Sequence, residues 1–150
     1  MLKHLSIKNL LLIENVNISF DNGLCVLTGE TGAGKSMILD SLNLISGGRI
    51  KSSLKPNPGK KTQITALIEI QHYPPLKNIL NEIDIEFDNE IIVKRTISEE
   101  GKSKAFVNDS LVGLSTLKII FNDILEIHSQ FAEQGLLDSS THINTLDEFG

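Results

Sequence analysis

Gly29, Glu30, Thr31, Gly32, Ala33, Gly34, Lys35 and Ser36 are the residues whose types and spacing could do chemistry. They fit the pattern G-x-x-x-x-G-K-[ST] without a mismatch, and the chemistry this spacing serves is the gripping of a phosphate chain. Glycines at 29, 32 and 34 let the backbone curl through conformations that a Cβ resists, so successive N–H groups can converge on an anion. Lys35 would reach the β- and γ-phosphates of a nucleotide as a mobile point charge, and the Ser36 hydroxyl would ligate Mg²⁺. The competing reading of the same letters is a glycine-rich turn that happens to carry Lys-Ser.

Two elements must flank such a loop, and the sequence offers both. Residues 24–28 (Leu-Cys-Val-Leu-Thr) follow the turn signal Asp21-Asn22-Gly23 and read as a short, fully buried strand. Residues 36–46 read as a helix, with Met37, Ile38, Leu42 and Ile45 at helical spacing and Gly47-Gly48 as a stop signal. A strand that turns sharply into a helix leaves backbone N–H groups without partners at the helix start, where the macrodipole adds partial positive charge. Phosphate fits that position.

The 150 residues are 40% apolar and 22% charged, as in a globular chain with a substantial core. A formal charge of −5 argues against a general nucleic-acid clamp, which presents net basic surface, but leaves room for a local basic patch. The single cysteine, Cys25, excludes an intrachain disulfide framework, suits a reducing compartment and reads as a small core residue. No apolar stretch is long enough to span a bilayer, and Lys3, Lys8 and Glu14 stand near the start without a cleavable signal pattern. A cytoplasmic protein with no membrane partner is expected.

Along the chain, residues 2–8 and 13–20 alternate with a period of two, the second with Val16, Ile18 and Phe20 on one face, and predict two strands before the loop. His4 reads as a solvated or strand-face histidine. Ser46-Gly47-Gly48 has the letters of an ABC-type signature, but so soon after Ser36 it reads as a helix C-cap. Residues 50–62, polar and basic with two prolines, predict a solvated loop. A strand over 63–71 follows, with Ile64, Ala66, Ile68 and Ile70 on one face, then a break at Pro74-Pro75 and a short helix or irregular stretch to residue 83. Residues 90–97 and 102–108 predict a hairpin turning at 98–101, made basic by Lys94, Arg95, Lys102 and Lys104, whose bland reading is a solvated sheet face. A helix with Ser115 or Thr116 as N-cap and Leu117, Ile120 and Phe121 as its buried stripe comes next. Residues 124–128 read as a strand ending at Ser129-Gln130, and 131–150 as helical with an interruption.

Several of these pieces together resemble one family, the bacterial DNA repair ATPase RecN, a relative of the SMC proteins. The opening Met1-Leu2-Lys3-His4-Leu5-Ser6-Ile7-Lys8-Asn9 with Ile13-Glu14 looks like the family's first strands, and Gly-Glu-Thr-Gly-Ala-Gly-Lys-Ser is its own variant of the loop. Gly47-Gly48-Arg49 matches the close of its loop helix. Lys94-Arg95-Thr96-Ile97 with residues 101–108 resembles its arginine-rich hairpin, and Ile127-His128-Ser129-Gln130 is similar to its Ile-His-Gly-Gln motif. The resemblance implies an α/β fold, the N-terminal half of an ABC/SMC-type ATPase head of the P-loop NTPase class: a mixed sheet with an antiparallel β subdomain and the P-loop helix. It also implies ATP and Mg²⁺ as ligands, with Gln130 as the glutamine that contacts the metal and the attacking water.

Full-length relatives continue into a coiled coil and return with a signature motif, a Walker B aspartate, a catalytic glutamate and a switch histidine. Ile68-Glu69 and Leu125-Glu126 lack the aspartate, so residues 1–150 are expected to form the N-terminal lobe alone, with the coiled coil and C-terminal lobe absent. The family context implies a completed head that dimerises around two nucleotides and handles DNA ends in double-strand break repair, at the nucleoid. A small P-loop kinase or GTPase would need a Walker B aspartate or an N-K-x-D motif, and neither is found. A non-catalytic docking module is the other alternative, separated from the first reading by nucleotide titration.

Overall fold

Alternation of period two builds the first residues into a hairpin. In the computed structural model, which describes residues 1–28, 34–54, 56, 58–71, 73–122 and 124–127, β1 (Leu2–Leu10) turns Leu5, Ile7 and Leu10 inward. Strand β2 (Ile13–Ser19) returns antiparallel, setting Ile18, Val16 and Ile13 opposite those three residues. Further along come β3 (Thr62–Glu69), β4 (Glu90–Ile97), β5 (Ser103–Val107) and β6 (Ser110–Val112). The sheet order is β2-β1-β3-β4-β5-β6, and every ladder among the described residues is antiparallel, the subdomain expected of the fold. Register aligns the apolar rows: Leu5 faces Ala66, Ala66 faces Val93, and Val93 faces Val107, all on the covered side.

Strand β6 was not anticipated. It exists because Asn108 (φ 44°) and Asp109 (φ 66°) both adopt left-handed backbone, as a two-residue hairpin turn requires. Asparagine and aspartate are among the few residues besides glycine that tolerate it.

Among the described residues, three α-helices contribute side chains to the apolar core. Helix α1 (Lys35–Ile45), one residue earlier at each end than the spacing predicts, lies against β1, β3 and β4 and buries Ser41, Leu44 and Ile45. In α2 (Pro74–Glu82) the two prolines start the helix rather than interrupt it, as their fixed φ and missing N–H allow, and Leu76 and Leu80 join the core one turn apart. Helix α3 (Leu114–Asn122) buries the expected stripe of Leu117, Ile120 and Phe121. It begins before Ser115 and Thr116, so neither caps it; the chain enters the helix directly from Gly113, whose carbonyl accepts the Leu117 N–H at 3.3 Å. No helix among the described residues is long and apolar enough to cross a membrane.

The C-terminus of α1 is closed by the glycines, as read from sequence. Gly47 sits at φ +92°, its N–H bonding the Leu44 carbonyl at 3.1 Å while the Gly48 N–H bonds the Asn43 carbonyl at 2.8 Å. This is the paired pattern of a left-handed helix cap. A Cβ on Gly47 would lie 2.7 Å from the Leu114 carbonyl oxygen, so the same glycine also lets α3 approach α1. Gly47→Ala is therefore expected to destabilise the chain by about 2 kcal/mol or more, read from urea unfolding, through both the left-handed penalty and the clash. A loss under about 0.5 kcal/mol would show that α3 yields freely.

Two expected strands are not found among the described residues. Residues 24–28 form no ladder: Leu24 is 92% exposed, Val26 67%, and Cys25 is exposed rather than a core residue. Residues 124–127 are likewise not strand, while His128, Ser129, Gln130, the helical reading of 131–150 and Gly29 to Ala33 lie outside the described residues. The reason is lateral. Apolar β-type residues become a strand only when a neighbour completes their backbone hydrogen bonds, and none of the described strands pairs with either run. Of the solvated loop predicted over 50–62, the described residues 50–54, 56 and 58–61 form no strand, but a short 3-10 turn (Ser52–Leu54) buries Leu54, and Thr62 already belongs to β3.

Candidate functional site

Lys35 and Ser36 are the first two residues of α1, and Gly34 precedes them at φ +92°, a backbone state for which glycine is the natural occupant. Among the described residues no side-chain cap is made at this helix end, and no acidic residue stands in its first turn. The positive end of the macrodipole at this helix start favours an anion. A Cβ built on Gly34 would meet no described residue within 4 Å, and Ser36 is exposed. Of the residues predicted for the site, the structure brings Gly34, Lys35 and Ser36 together. Gly29, Glu30, Thr31, Gly32, Ala33 and Gln130 lie outside the described residues.

The opposite end of α1 holds a residue that the sequence reading misplaced. Arg95 is 1% exposed, not part of a solvated basic face. Its guanidinium donates from Nη1 to the Leu44 carbonyl and, at 2.7 Å, to the Gly48 carbonyl, and from Nη2 to Ser103 Oγ at 3.5 Å. Nε finds no acceptor among the described residues. Burial pushes the guanidinium pKa below that of a solvated arginine, and the helix carbonyls, with the negative end of the dipole, are what offset that cost. The signal was available in strand parity. Ile91, Val93, Arg95 and Ile97 share one face of β4, so an arginine flanked by Val93 and Ile97 had to point inward.

The other basic residues of the β4–β5 hairpin do lie on the open side, as expected. Lys94 Nζ sits 5.2 Å from the Phe106 ring centroid and 3.3 Å from Asp109 Oδ1, and Lys102 Nζ is 2.8 Å from Glu100 Oε2. Lys104 is exposed. His4 is a strand-face histidine whose Nδ1 lies 3.1 Å from Ser19 Oγ. In the basic loop, Lys51 Nζ approaches Asp40 Oδ1 at 3.4 Å. Elsewhere a cleft of about 660 Å³ is lined by Asp84, Glu86, Asp88 and Glu90; four carboxylates repel phosphate, so it is no rival for an anionic ligand.

A helix whose N-terminus carries Gly34-Lys35-Ser36, lying across an antiparallel sheet, defines the class: the N-terminal half of a P-loop ATPase head. A solved SMC ATPase structure, from work on ATP-driven dimerization and DNA-stimulated activation of SMC ATPases, shares this fold with a TM-score of 0.68 at 17% identity, over 99% of each chain. The chain belongs to the AAA domain family, whose model matches residues 4–148. It is similar to the DNA repair protein RecN of Bacillus subtilis (strain 168), 41% identical over 150 residues that cover 99% of this chain and 26% of the relative. It is also similar to the DNA repair protein RecN of Vibrio cholerae, 34% identical over 149 residues covering 99% of this chain and 27% of that protein. The chain thus spans about a quarter of the length of the curated relatives it matches.

Proposed function

We propose that this chain is the ATP-binding N-terminal segment of a RecN-like protein acting in DNA double-strand break repair and recombination. The observation that carries the reading is the start of α1, with left-handed Gly34, then Lys35 and Ser36, and no carboxylate in the first turn. These residues fit a magnesium nucleotide. The N–H groups from Gly29 to Ser36 would hold phosphate oxygens, Lys35 would balance charge on the β- and γ-phosphates, and Ser36 with Gln130 would hold Mg²⁺. Bound Mg²⁺ would supply neutralisation of the phosphate charge. A glutamine at 130 could orient a water without adding charge of its own.

Exposed Leu24, Val26 and Leu27, immediately before the loop, support a second part of the reading. They form an apolar, β-type run with no ladder among the described residues, in a chain that spans about a quarter of its relatives. A C-terminal lobe bearing the signature and Walker B motifs is the partner we assign to it. The completed head would pair with a second head around two nucleotides and act on DNA at the nucleoid, in the cytoplasm.

Isothermal titration tests the nucleotide reading. MgATP is expected to bind the wild-type chain and to bind Lys35→Ala at least about 100-fold more weakly, a difference of roughly 2.7 kcal/mol. Steady-state hydrolysis by the chain alone should stay at background, since the sequence holds no Walker B aspartate and no catalytic glutamate beside one. Absence of heat with well-folded wild type would sink the assignment; robust turnover abolished by Lys35→Ala would show that the missing groups are supplied within these residues.

A further inference from the structure

We infer that Arg95 is a positioning residue for the phosphate loop, holding α1 from its far end so that Lys35 and Ser36 stay in register with a bound nucleotide. The inference rests on the nucleotide reading above and adds to it a residue that touches no ligand. Helix α1 has 11 residues, about 16 Å of rod, with the loop at its N-terminus and Arg95 at its C-terminus. The two carbonyls that Arg95 binds bracket the helix cap, Leu44 in the last turn and Gly48 beyond the left-handed Gly47. Both bonds come from one guanidinium nitrogen, Nη1, so sliding or turning α1 breaks at least one of them and the pair fixes the axial position and the rotation of the helix relative to β4.

The rest of the packing cannot substitute. Leu44 and Ile45 bury apolar surface against the sheet, but such contacts are non-directional, and a small slide of the helix changes them little. Phosphate recognition by converging N–H groups is directional, and displacement on the order of 1 Å at a reacting centre can cost about 100-fold. Arg95 also joins α1 to the β4–β5 hairpin, since its Nη2 reaches Ser103 Oγ on β5. The guanidinium at one helix end and the anion at the other stabilise the same dipole, so each is expected to favour the other.

The experiment uses the full 150-residue chain with Mg²⁺ and a fluorescent ATP analogue, competed with ATP. Arg95→Lys keeps a charge but has one shorter, single-nitrogen head that cannot hold the helix carbonyls and Ser103 together, and the folded protein, checked by circular dichroism, should bind about tenfold more weakly. A purely structural role would lower the melting midpoint and leave the affinity of folded molecules unchanged, and that result overturns the inference. Hydrogen exchange needs no substitution at 95. MgATP should slow exchange of the Leu44 to Gly48 amides in wild type and not in Lys35→Ala, whereas equal exchange with and without nucleotide also overturns it. If wild type binds no analogue at all, the phosphate-loop reading itself has failed, an outcome distinct from wild type binding and Arg95→Lys binding equally well.

Discussion

Arg95→Ala is expected to remove about 2–5 kcal/mol of unfolding free energy, measured by urea denaturation followed by circular dichroism. The side chain is fully enclosed, and its loss uncovers two defects at once. The Gly48 carbonyl loses its donor, at about 1–3 kcal/mol for an unsatisfied group, and the Leu44 carbonyl is left with the Gly47 N–H alone. A cavity the size of a guanidinium and its stem opens between α1 and β4, adding a packing loss. Against a total stability of roughly 5–15 kcal/mol for a domain, such a loss leaves little margin. Arg95→Met would refill the cavity yet still leave the Gly48 carbonyl without its donor, and should recover only part of the deficit. A measured loss below about 1 kcal/mol would mean that water enters and satisfies the carbonyls, and that the arginine is dispensable to the fold.

The double substitution Leu24→Lys, Val26→Lys has the opposite signature. The wild-type chain is expected to self-associate in a concentration-dependent way by sedimentation, because Leu24, Val26 and Leu27 present an apolar run capable of strand pairing. Two lysines there should give a monomer. Stability should change by no more than about 0.5 kcal/mol, since neither residue belongs to the core. Persistent self-association would move the sticky surface elsewhere, to the edges formed by β2 or β6. A collapse of stability would show that the run is packed after all.

How much could be read without coordinates follows from what each element depends on. Strands β1, β3 and β4 were legible because their period-two patterns are local and their partners lie within the chain. The glycine cap of α1 was legible too, since Gly47-Gly48 directly after a helical pattern admits few other uses. Residues 24–28 and 124–127 carry equally strong patterns and failed, because strand formation is a property of a pair and the pattern speaks for one side only. At the site, Gly34, Lys35 and Ser36 stand where the motif predicts, at the head of a helix. Arg95 was misread by residue type, charge being taken for exposure, when parity along β4 already placed it inside.

The ladder order also constrains how the polypeptide is made. Strand β1 pairs with β2 almost at once, but its other neighbour is β3, which is translated only after the loop segment, α1 and the basic stretch; even the Met1 amino group finds its acceptor at the Glu69 carbonyl, 2.6 Å away. At about 5–20 residues per second, a ribosome leaves that hairpin waiting for roughly 3–10 s with one side of β1 bare. A two-stranded ribbon is marginal in water, so the nascent segment passes through a window in which Leu5, Ile7 and Leu10 are open to a holdase.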